Sequence, residues 1–184
     1  PGAPAGHRVR RSALVTFDEL FGLSREIGAW LGQEAAAERW IGVTQQRLAA
    51  LSASSLGRAR PHVGIVLAID PVRLAGALRF EAELVEIAGA ENLGHGSATL
   101  QVAIDALPPE HRSPDLWLFV PPEAPDEATL TRLRAQLPGV APLEVFPLPP
   151  SWPSDIVGHA ERLRARIEDA AQKAKRRPAT NESA

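Results

Sequence analysis

Seven consecutive residues, Val63-Gly64-Ile65-Val66-Leu67-Ala68-Ile69, carry no polar side chain, and they constrain the fold more than any other stretch of the chain. A strand with one wet face alternates apolar and polar side chains. An unbroken apolar run with β-branched residues instead fits a strand covered on both faces, as in a parallel sheet between helical layers. Asp70-Pro71 ends the run, with Asp70 at the strand's carboxyl edge.

Two further runs repeat the pattern: Leu116-Trp117-Leu118-Phe119-Val120, and a shorter one over Leu143 to Phe146. Between and after them the spacing predicts helices over Phe80 to Ala88, closed by Gly89, over Asp126 to Leu137, closed by Pro138-Gly139, and from Ser154 to about Gln172. Leu100 to Leu107 reads as a short helix. Strands alternating with helices imply a three-layer αβα lobe with a mainly parallel sheet over 61–172.

Ahead of this lobe, Thr16-Phe17-Asp18-Glu19 has the residue types of a capping box, in which the threonine hydroxyl and the glutamate carboxylate each serve the other's backbone N–H. Apolar residues follow at helical spacing through Leu31, Gly32 breaks or kinks the helix, and an alanine-rich stretch with Trp40, Ile41, Val43, Leu48 and Leu51 on one side continues to about Ser54. The expectation is a long helical rod over 16–55 whose apolar stripe, with Trp30, Trp40 and Trp117, serves packing. Residues 1–15 are expected to be a basic, strand-like remnant or linker, and 173–184 a disordered tail.

At 184 residues, the chain is expected to fold around one main core. A net charge of −2 supplies no global positive field, which argues against nucleic acid as partner. Without cysteine there is no disulfide, thiolate metal site or cysteine nucleophile, and no apolar run approaches the roughly 18–20 residues of a membrane-spanning helix. The absence of methionine gives the expectation that the sequence was processed, trimmed or excerpted from something larger.

No G-x-S-x-G elbow, P-loop or dinucleotide turn is present. Gly94-His95-Gly96-Ser97 lacks a partner base, and Glu91 with His95 lacks a third metal ligand. The expectation is a non-enzyme with no catalytic residues, bound metal or cofactor.

Several segments together resemble the helical-backbone class of substrate-binding proteins of ABC importers, which bind cobalamin or ferric siderophores. They are Thr16-Phe17-Asp18-Glu19-Leu20, Ile27 to Ala35, Leu84-Val85-Glu86-Ile87-Ala88-Gly89-Ala90-Glu91-Asn92-Leu93, and Gln101 to Leu107 followed by Ser113-Pro114-Asp115-Leu116-Trp117-Leu118. The resemblance implies the connecting helix and C-terminal lobe of a two-lobed protein, with the N-terminal lobe missing and a periplasmic or extracytoplasmic location.

It also implies ligand contacts. Leu67, Arg73 and Thr99 stand where cobalamin-binding members carry aromatic residues, and Arg73 would pair with an anionic chelate or else be a solvated loop arginine. Asp105 matches the lobe-surface glutamate that pairs with arginines of the importer permease, and it would equally stabilise its own helix start. Trp152, fixed between prolines, would contact a ligand or cap the core. The expected ligand-contacting set is thus Leu67, Asp70, Arg73, Thr99 and Trp152. The alternative expectation is a stand-alone lobe without a cleft that acts as an interaction or assembly subunit.

Overall fold

A computed structural model describes residues 16–109, 112–149 and 151–176. Its elements are α1 (Phe17–Leu31), α2 (Glu34–Ala53), β1 (His62–Ile69), β2 (Val72–Ala75), α3 (Phe80–Ile87), β3 (Glu91–Asn92), β4 (Gln101–Ala103), β5 (Leu116–Phe119), α4 (Glu127–Gln136), β6 (Leu143–Val145) and α5 (Ile156–Arg176). The strand-like reading of residues before Thr16 lies outside the described residues.

The six strands form one sheet in the order β4-β2-β1-β5-β6, with β3 pairing the start of β1. Strand β1 runs parallel to β3 and to β5, and β5 parallel to β6, whereas β2 pairs antiparallel with both β1 and β4. The apolar run behaves as its composition requires: Val63, Ile65 and Val66 are fully buried, with Ile65 facing one core and Val66 the other. Leu133 of α4 packs on the second face, and α3 and α5 cover the first. The lobe is therefore three-layered, with a mostly parallel sheet. Helix α2 packs outside α3 and α5, with Arg47 paired to Glu161 of α5 at 3.1 Å, and Arg58 in the link after α2 paired to Glu168 at 3.4 Å.

The capping box at Thr16 forms as its residue types dictate, the hydroxyl accepting from Glu19 N–H at 3.2 Å and the carboxylate from Thr16 N–H at 3.3 Å. Along α5 the buried positions Ile156, Ala160, Leu163, Ile167 and Ala170 recur every three or four residues, which is the stripe a helix lays on a flat partner.

Five expectations need correction. The rod over 16–55 is two helices. Gly32 takes a left-handed conformation, φ 63°, that terminates α1, and the chain doubles back. Phe21 then meets Trp40 edge-on at 6.1 Å and Arg25 pairs with Glu38 at 2.7 Å, contacts impossible along one straight helix. Near the hairpin tip Trp30 is 63% exposed, against the packing role expected of it, and Ile27 and Leu31 are exposed with it.

The expected short helix at Leu100 to Leu107 is strand β4 followed by a single 3-10 turn, Ile104–Ala106. Strand β2, read from sequence as loop, adds a hairpin arm directly after Asp70-Pro71. Residues 173–176, expected to belong to a disordered tail, continue α5 to Arg176, with Lys173 pairing with Asp169 at 2.6 Å, and the rest of that expected tail lies outside the described residues.

Candidate functional site

Strand β1 continues leftward through β2, α3, β3 and β4, and the chain then crosses to β5 on the other side of β1. Helix α3 lies on one sheet face and α4 on the opposite one. The carboxyl ends of β1 and β5 thus flank a topological switch point, where the two connections part and leave a crevice. A pocket of about 310 Å³ lies there, lined by Leu67, Val120, Pro122, Leu148, Trp152, Gln101 and the start of α3, Arg79-Phe80-Glu81.

Leu67 follows Val63 and Ile65 on the first sheet face by simple strand alternation. Between Val66 and Ala68, β1 has one residue more than the facing β2, a bulge that displaces Leu67 from the ladder. Trp152 stands in a short 3-10 turn, Trp152–Asp155, and its ring lies flat on Phe80, centroids 4.3 Å apart. The residue is 9% exposed, so it caps the core and at the same time presents an edge to the pocket. The core-capping reading of Trp152 is met.

The polar wall is an ion pair. Arg79 donates through Nε to Glu81 Oε2 at 2.8 Å and through Nη2 to Oε1 at 2.5 Å. Glu81 is 6% exposed, and the guanidinium lies 6.0 Å from the Phe80 ring centre. A carboxylate so buried is tolerable only with such a partner.

Of the five residues expected from sequence to contact ligand, the structure brings Leu67 and Trp152 together and leaves three outside. Asp70 is exposed in the β1–β2 turn. Arg73, two residues from the pocket-side Ala75, lies on the same sheet face by strand alternation but does not line the pocket. The Thr99 hydroxyl is occupied within its own loop, donating to Gln101 O at 3.0 Å and bonding Ser97 Oγ at 2.8 Å.

Asp105 is exposed on the 3-10 turn after β4. Arg112 holds that turn by donating to the carbonyls of Asp105 at 2.6 Å and Leu107 at 2.8 Å.

Sequence reasoning missed Arg79, Phe80, Glu81 and Gln101 as pocket residues. Phe80 was legible only as a helix start, and nothing in Arg-Phe-Glu marks a crevice until the crossover is known. Elsewhere on α3, Glu83 accepts from Phe17 N–H at 3.0 Å, and burial pushes its carboxyl above the ordinary value, the Phe17 bond opposing and Asp18, Glu86 and Glu19 adding repulsion. Among the described residues no group of three or more His, Cys, Asp or Glu is placed to hold a metal ion, and no helix is long and apolar enough to cross a membrane.

No family model matches this chain, and no curated protein does. Solved structures do. IsdE of S. aureus, complexed with heme, superposes with a TM-score of 0.61 at 14% identity over 85% of this chain and 65% of its own. The periplasmic heme-binding protein RhuT from Roseiflexus sp. RS-1 gives 0.62 at 19%, over 85% and 65%. The periplasmic vitamin B12 binding protein BtuF of Vibrio cholerae gives 0.54 at 14%, over 86% and 64%. What these proteins share with this chain is the fold, and the chain spans less than two thirds of their length.

Proposed function

We propose that this chain, which carries the fold of periplasmic binding-protein lobes, supplies one wall of the binding site in the substrate-binding component of an ABC importer for a metal chelate such as cobalamin or a ferric siderophore. The observation that carries this is the pocket at the β1–β5 switch point, where Leu67, Phe80 and Trp152 offer apolar and aromatic surface beside one polar pair. The role is capture and delivery rather than catalysis, since the two ionisable groups lining the pocket are spent on each other. Such a component works outside the cytoplasm, with a second lobe closing over the ligand.

Arg73, on the pocket's sheet face, and Asp70 and Thr99, in turns next to β2 and β4, are proposed as outer contacts for a ligand larger than the pocket. Asp105, exposed on a turn that Arg112 stiffens, is proposed as the carboxylate that docks to permease arginines. Equilibrium titration of the full chain with cyanocobalamin, hemin and ferrichrome tests the reading: saturable binding of one of them supports it, and binding of none removes it.

A second reading, a stand-alone lobe acting as an interaction or assembly subunit, is favoured by Ile27, Trp30 and Leu31, which are 42%, 63% and 69% exposed at one hairpin tip. Sedimentation at rising concentration, without ligand, distinguishes it by self-association that Trp30→Ser removes.

A further inference from the structure

Among the nine residues lining the switch-point pocket only Arg79 and Glu81 are ionisable, and they neutralise each other. The pair is geometrically closed. Arg79 is the residue before the first turn of α3, with extended backbone (φ −109°, ψ 140°), so its side chain can run back along that turn to meet Glu81 in a two-pronged contact. The one cationic side chain of the lining therefore has a carboxylate set against it, and the rest of the lining is apolar except for the Gln101 amide.

We infer that Glu81 is a specificity-determining residue of this pocket: by closing Arg79 into an ion pair it directs the site to a chelate whose pocket-facing edge is uncharged, against one presenting carboxylates. This rests on the chelate-binding reading above. An incoming carboxylate has to share one guanidinium with Glu81 inside a partly desolvated crevice, where two like charges repel strongly. An amide, ester or hydroxamate oxygen accepts from Arg79 Nη1, which lies outside the pair, without that repulsion.

Hemin and its dimethyl ester isolate the effect, because ring and metal are the same and only two carboxylates differ. The full chain is titrated with each. The wild type is expected to bind the ester at least as tightly as hemin. Glu81→Gln, which releases the Arg79 charge, is expected to move the ratio toward hemin by about tenfold or more. The double variant Arg79→Gln/Glu81→Gln, an uncharged pair of similar shape, should keep the wild-type order. Arg79→Gln alone strands a buried carboxylate and is not informative.

A wild type that prefers hemin about tenfold, or an E81Q ratio equal to the wild-type ratio with both probes bound, overturns the inference and leaves the chelate reading standing. Failure of every variant to bind either probe, cyanocobalamin or ferrichrome removes both. If E81Q does not fold, the wild-type ratio at low and high salt decides. A neutral pocket gives a flat ratio, and an arginine that reads anions gives a preference for hemin that collapses as salt rises.

Discussion

Trp152 lies on Phe80 with ring planes 2° from parallel and centroids 4.3 Å apart, a stack that joins the turn before α5 to the first residue of α3. It closes the first core from above and forms the aromatic flank of the pocket. Stability and the proposed binding wall therefore share one side chain.

Trp152→Ala should remove both at once. Truncating a buried tryptophan costs about 3–5 kcal/mol, and the stacked geometry contributes about 0.5–1.5 kcal/mol of it beyond burial. Trp152→Phe keeps a ring over Phe80 and should lose about 1–2 kcal/mol. Urea denaturation gives the stabilities, and titration with cyanocobalamin gives the pocket's response. A W152F protein that is nearly as stable as wild type and binds equally well would show that only the ring contact matters.

Across the sheet, Gly64 pairs with Trp117, and the indole lies over the glycine so closely that a β-carbon at 64 would stand 2.3 Å from Trp117 Cζ3. The indole is itself 1% exposed, with Nε1 donating to Pro138 O at 3.3 Å, and has no room to retreat. Gly64→Ala should cost about 1–3 kcal/mol by overpacking, and Trp117→Leu in the same chain should recover part of that loss. A double-mutant cycle by thermal denaturation measures the coupling.

The three-layer lobe could be read from the sequence because its central strands are apolar on both faces and its helices carry caps. Short elements were harder. Gln101-Val102-Ala103 fits a helix or a strand equally at that length, and Asp70-Pro71 reads as an end although only a tight turn is needed for Val72 to Ala75 to pair back on β1. Gly32 announced a break, but not that the chain would reverse there. Of the residues named from the sequence, Leu67 and Trp152 line the pocket and Arg73 does not, whereas Arg79 does. Both arginines precede α3, and Arg79 borders the crevice because it stands at the start of α3, a placement set by where the chain leaves β2, which has no local signature.

The hairpin offers a purely backbone test. At Gly32, φ is 63°, and a β-carbon there would meet nothing within 4 Å. Gly32→Ala should therefore lose about 1 kcal/mol through the left-handed backbone alone, and Gly32→Asn should lose less. Denaturant midpoints of the two variants separate conformational strain from steric clash, since a clash would penalise asparagine more.

Glu83 gives the chain a dependence on pH whose sign is fixed by its surroundings. Burial is the largest influence on its carboxyl and raises the folded-state value. The Phe17 N–H, donating at 3.0 Å, pulls the other way, and Asp18, Glu86 and Glu19 push it further up. A carboxyl whose folded value exceeds its unfolded one binds protons more readily in the folded chain. Its contribution to stability is thus fully present below the unfolded value and is lost as pH rises through the folded one. Glutamine at this position still accepts from Phe17 N–H but never ionises. Glu83→Gln should match the wild type near pH 4 and gain on it progressively toward about pH 8, as measured by urea unfolding across that range. A stability difference that stays constant with pH would mean that the carboxylate is as well solvated in the folded chain as in the unfolded one.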